Sequence, residues 1–156
     1  MNTVFHACYN IALSLWIGGI SLFTFVITPV IFRSYGRDMA GNIVGKLFPG
    51  YFLYNLLISV AVFILFFAVR SILTPRGGKW SLVLIIAALI INVVVTFKLH
   101  PDIRKVKEEI HSFETLSEES PVRRKFRNLH GVSAVLNLIL LADGAALIII
   151  SNCCRQ

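Results

Sequence analysis

Four long stretches free of Lys, Arg and Glu dominate this chain. Ala7–Phe32 spans 26 residues, Leu47–Val69 spans 23 and Trp80–Phe97 spans 18. Leu129–Asn152 spans 24, with Asp143 as its one charged member and His130 near its start. A helix needs about 20 apolar residues to cross the ~30 Å hydrocarbon core of a bilayer. Four such runs in 156 residues predict an all-α, polytopic membrane four-helix bundle. A soluble domain carries about 25% charged residues, whereas this chain has 15%, with 56% hydrophobic. No run alternates polar and apolar residues with period two, which argues against a transmembrane barrel. No Lys or Arg precedes Arg33. The first run therefore lacks the basic start of a signal peptide and is also too long for one, so it is expected to be a retained helix.

The net charge of +7 raises the question of nucleic acid, but topology accounts for it better. With four helices, the segments 33–46 and 98–127 share one side. They hold Arg33, Arg37, Lys46, Lys98, Arg104, Lys105, Lys107, Arg123, Arg124, Lys125 and Arg127; the other side has Arg70, Arg76, Lys79 and Arg155. The excess of cations places the first group in the cytoplasm and both termini outside. The expected setting is the inner membrane of a bacterium, in contact with membrane lipid and without nucleic acid.

The helices are expected at about 2–32, 45–73, 80–116 and 121–152. "RSYGRDMAGNIVGK" reads as a connection and "TPRGGK" as a turn of helix breakers. Pro29 and Pro101 are expected to kink their helices. Ile103, Val106, Ile110 and Phe113 recur at spacings of three and four, an amphipathic stripe. Helix 3 therefore continues past the membrane, and with helix 4 forms a hairpin extended into the cytoplasm. Ser120 is the expected N-cap of helix 4, with Pro121 at its first position.

Several residues are candidates for chemistry. Counting 1.5 Å per residue from the outer end brings Trp16, Asn92 and Asp143 to one depth. They are expected to form a structural polar layer, hydrogen-bonded between helices. The competing reading of Asp143 is a cation or proton site. Gly18 and Gly19 in "WIGG" read as a close helix approach. His6, Cys8, Cys153 and Cys154 gather at the outer end, where thiolate and imidazole suit copper or zinc. His100 and His130 both lie near the inner face and complete the candidates for metal or haem ligation. No P-loop, nucleophile elbow, zinc-protease or dinucleotide motif occurs.

Three stretches carry a resemblance: "FRSYGRDMAGNIVGKLFPGYF" (Phe32–Phe52), "LHPDIR" (Leu99–Arg104) and "KFRNLHGVSAVLNL" (Lys125–Leu138). In them the chain resembles the transmembrane protein 205-like family, built on a domain of unknown function. The resemblance marks Arg33, Lys46, Phe48, Pro49, Tyr51, Pro101, Phe126, His130, Gly131 and Asn137 as family-type positions and implies no reaction. Arg33, Lys46, Tyr51, His130 and Asn137 become candidates for binding an anion or other ligand at the cytoplasmic end. More remotely, the His6 and "WIGG" start is similar to copper resistance D and HemJ-type membrane proteins, which implies copper or haem b.

The expected function is a non-enzymatic membrane protein that binds or moves a small solute or metal ion near His130. The alternatives are a haem b redox protein using His6 or His130, and a structural subunit whose face from Arg104 to Glu109 docks a cytoplasmic protein. Four helices enclose a poor pathway, so a homodimer is expected.

Overall fold

A computed structural model describes residues 2–154 except 111, 114, 116 and 118. Four helical rods account for most of it. The first is α1 (Asn2–Leu22), a π-helical stretch at Phe23–Ile27, and α2 (Thr28–Ser34). The second is α3 (Arg37–Val69), closed by a 3-10 turn at Arg70–Ile72. The third is α4 (Pro75–Val94), a π-helical stretch at Val95–Leu99, and α5 (His100–Glu108). The fourth is α6 (Pro121–Cys153). All four are long and apolar enough to cross a membrane.

The helices pack as a closed ring. α1 lies against α3 and α6, and α4 against the same two. α1 and α4 are thus diagonal, as are α3 and α6. The buried interior has two halves. One centres on Trp16, Leu13, Phe66, Ile85 and Leu147. The other, toward the basic end, is aromatic and centres on Phe23, Tyr51, Phe52 and Val95. Large apolar side chains such as Leu57, Ile64, Phe97 and Ile149 face outward. A soluble protein would not expose them together, and a bilayer accepts them.

Several helix ends differ from expectation. α3 starts at Arg37 rather than 45, so only Tyr35 and Gly36 separate it from α2. Asp38 in its first turn favours a helix N-terminus. Gly41 and Gly45 are helical and face Lys107 rather than forming a loop. α4 starts at Pro75 rather than Trp80, because Thr74 caps it: its hydroxyl accepts from the Gly77 N–H at 3.2 Å. Helix 3 ends at Glu108, not 116. Asp38 instead captures the following segment, accepting from the Ser112 hydroxyl and the Phe113 N–H, both at 2.6 Å. Ile103, Val106 and Ile110 are buried as the stripe predicted. α6 follows Ser120, whose side chain makes no cap bond, and carries Pro121 in its first turn.

Candidate functional site

The two π-helical stretches share a sequence pattern. Each is followed by one residue and then a proline: Thr28–Pro29 after the first, His100–Pro101 after the second. Proline lacks an N–H and its ring clashes with the carbonyl four residues back. Widening the turn relieves that clash. The Thr28 N–H bonds to the Phe23 carbonyl and the His100 N–H to the Val95 carbonyl, both five residues back. The expected kinks are therefore wide turns. Such turns often occur at functional sites.

Beyond these turns the rods enclose a cavity of about 900 Å³. Thr28 and Phe32 line it from α2, Phe48 and Pro49 from α3, His100 and Ile103 from α5, and Phe126 and His130 from α6. Its charged lining is Arg37, Lys46, Arg104, Lys107 and Arg123 against Asp38 and Glu108. Arg104 pairs with Glu108 at 3.0 Å on the exposed side. Arg123 donates to the Phe113 carbonyl at 3.0 Å, holding the link onto α6. Lys107 lies in a notch made by two glycines one turn apart. Its ammonium donates to the Gly41 carbonyl, and a Cβ on Gly45 would come within 2.9 Å of it.

The floor is aromatic. Phe48 stacks on Phe52 at 5.3 Å, and the imidazoles of His100 and His130 lie 6.1 and 6.3 Å from the Phe48 ring centroid. His130 also stacks flat on Phe126, one turn back, at 5.8 Å. Below the floor, Asn137 joins three rods. Its Oδ1 accepts from the Tyr51 hydroxyl, and its Nδ2 donates to the Thr24 hydroxyl at 2.7 Å. Tyr51 in turn stacks on Phe23 at 4.1 Å.

Of the expected ligand-binding residues, Lys46 and His130 line the cavity and Arg33 does not. Tyr51 and Asn137 form the layer beneath it. Sequence reading missed Arg37, Asp38, Lys107 and Arg123. The usable signal was Gly41 and Gly45 at helical spacing, which opens a place for a long side chain.

At the other end, the buried His6 sits among Ser151 and Asn10. Its Nε2 is 3.2 Å from the Ser151 carbonyl, and the Ser151 hydroxyl donates to Asn10 Oδ1 at 3.1 Å. Cys8 and Cys153 are exposed, and Cys154 packs near Gly77. Among the described residues, no three His, Cys, Asp or Glu side chains converge as a metal site.

The expected layer of Trp16, Asn92 and Asp143 is corrected in two respects. The Thr74 N–H bonds to the Cys154 carbonyl at 2.8 Å and so sets the level of α4 against α6. Asn92 lies 18 residues from Thr74, and Asp143 lies 11 from Cys154. The difference of seven residues places Asn92 about 10 Å away along the axis, near the level of Asn137. Starting α4 five residues earlier than expected accounts for most of this shift. Trp16 does share the level of Asp143, because a Cβ on Gly144 would lie 3.8 Å from its indole. The expected hydrogen bonds, however, are not made. Among the described residues, the Trp16 N–H, the Asn92 amide nitrogen and both Asp143 oxygens are buried without a partner.

The fold defines the class: an integral membrane four-helix bundle whose basic end opens into a cavity. The chain belongs to the family of the domain of unknown function DUF4149, which matches residues 11–112. That match runs from within α1 through the third rod and ends before α6. An uncharacterized protein of Aquifex aeolicus (strain VF5) is 31% identical over 141 residues, 88% of this chain and 91% of its own length. No solved structure matches.

Proposed function

We propose that this integral membrane protein binds a phosphate-bearing anion at its basic end, and that the occupant is the headgroup of an acidic phospholipid. The observation that carries the reading is the cavity: five cations against two carboxylates, over an apolar floor. A phosphate is recognised by Lys and Arg, and an acyl chain by the Phe32, Phe48 and Phe126 side of the lining. Depth supports the same occupant. Lys46 lies 23 residues from Val69 at the far end of α3, about 35 Å at 1.5 Å per residue, just beyond a ~30 Å hydrocarbon core. The cation excess favours the cytoplasmic face, where anionic lipids are attractive partners. The resemblance to the transmembrane protein 205-like family is consistent with Lys46, Tyr51 and His130 belonging to one site.

Thermal unfolding of the detergent-purified protein tests this. Short-chain phosphatidylglycerol is expected to raise the midpoint and short-chain phosphatidylcholine is not. The stabilisation reaches about 2.7 kcal/mol at a hundredfold excess over Kd, and shrinks when Lys46 and Lys107 are both replaced by Gln. Equal stabilisation by glycerol phosphate alone would make the occupant a soluble phosphate. Equal stabilisation by phosphatidylcholine refutes the charge-based reading.

A further inference from the structure

The bundle holds a second polar site, away from the cavity and independent of it. Asp143 is about one-twelfth exposed, and neither carboxyl oxygen has a partner among the described residues. Trp16, fully buried, is level with it and presents an unbonded indole N–H. Tyr9, also fully buried, lies two turns along α1 on the same face and within electrostatic range of Asp143, with its hydroxyl unbonded. From α3, the buried Asn55 donates its amide to the Tyr51 carbonyl at 3.0 Å and leaves Oδ1 unpartnered. The Tyr51–Asn137 bond sets α3 against α6, and 55 then falls level with 141, two residues from Asp143. That is about 3 Å along the axis.

A buried polar atom without a partner costs about 1–3 kcal/mol, and here Asp143, Trp16 and Asn55 carry four of them at nearly one depth, with Tyr9 about 10 Å further out along α1. Their types do not match. Three are oxygens that only accept when Asp143 is ionised: its own two and Asn55 Oδ1. Against them stand the Trp16 N–H and, about 10 Å further out along α1, the Tyr9 O–H. One proton on Asp143 turns one of these oxygens into a donor and narrows the mismatch. A metal ion at the same place would face the Trp16 N–H, which can only donate. No other charged group is at hand. The first rod has no titratable residue between Tyr9 and Arg33, the second none between Tyr54 and Arg70, the third none between Lys79 and Lys98, and the fourth none besides Asp143 between His130 and Cys153.

We infer that Asp143, with Trp16 and Asn55, forms a proton-binding site inside the membrane. Uptake makes one O–H bond on the carboxylate and release breaks it, with no other reactant. Hydrogen-bonded trios flank the site. Thr24, Tyr51 and Asn137 lie six residues along α6 and His6, Asn10 and Ser151 eight, about 9 and 12 Å away. The inner trio is the nearer route for exchange.

Infrared difference spectroscopy of the protein in lipid nanodiscs, titrated with pH, tests the inference. The expected signal is the carbonyl stretch of a protonated carboxyl that bleaches as pH rises and shifts in heavy water. It disappears in Asp143→Asn and is displaced in Asp143→Glu, which keeps the test open if the Asn variant fails to fold. Trp16→Phe, which removes the N–H, moves the midpoint of the titration. The inference is overturned if no such band depends on residue 143, or if the band ignores pH and heavy water. It is also overturned if sodium bleaches the band where choline at the same pH does not, because the occupant is then a metal cation.

Discussion

Replacing Asn137 with Ala removes a side chain that ties the first rod, α3 and α6 together below the cavity. Two hydrogen bonds go with it, from Tyr51 and to Thr24. Interhelical hydrogen bonds in a membrane contribute about 0.6 kcal/mol on average and up to about 1.7. The two together predict a loss of roughly 1.2–3.4 kcal/mol. Asn137 is only half buried, so little cavity cost is added. Tyr51→Phe removes one of the bonds while keeping the stack on Phe23, and should cost about 0.6–1.7 kcal/mol in the otherwise native protein. In the Asn137→Ala background the same change should cost clearly less, because the Asn137 partner is already gone and only the Asn55 and Thr24 contacts remain. Reversible unfolding in mixed micelles measures all four corners of this cycle. If Tyr51→Phe costs the same in both backgrounds, the two side chains are not coupled and the layer does not join the rods.

Glycines give a sharper contrast within the bundle. A Cβ on Gly144 would come within 2.8 Å of Ile17 Cγ1, whereas one on Gly18 meets nothing within 4 Å. Gly144→Ala should destabilise by about 1–3 kcal/mol through overpacking, and Gly18→Ala should be neutral or stabilising by up to about 1 kcal/mol; the same unfolding assay reads both. Gly45→Ala should displace the Lys107 ammonium and weaken the response to phosphatidylglycerol with little change in the response to phosphatidylcholine. Thr74→Ala should cost about 1 kcal/mol by removing the α4 cap. For orientation, an impermeant maleimide should label the exposed Cys153 on intact cells, whereas a cysteine at the exposed Ser34 should react only after permeabilisation. The opposite pattern would reverse the assignment of the basic end to the cytoplasm.

The uncharged runs carried the four spans because a bilayer imposes one length on every crossing, and the buried stripe from Ile103 to Ile110 was legible for the same periodic reason. Local chemistry was harder to read where a residue has two uses. Gly41 and Gly45 looked like a loop, but in a membrane bundle small residues also let a neighbour approach. Thr74–Pro75 looked like a break and is a helix start, which displaced Asn92 from the level of Asp143. The wide turns before Pro29 and Pro101 left no periodic trace, since one extra residue is lost in a run that is apolar all round. The cavity was only partly readable. Lys46 and His130 stood in family-type stretches, but Lys107 and Arg123 owe their place to how two rods meet.

The wide turns give the bundle an unequal build. Each holds one residue more than an α-turn, which sets everything beyond it roughly 100° round the rod's own axis from where an unbroken α-helix would put it. On the first rod the swung part carries Arg33; on the third it carries His100, Arg104 and Lys107. α3 and α6 run 33 residues each without such slack. Two walls of the cavity therefore owe the direction they face to a wide turn, and the other two to unbroken helix.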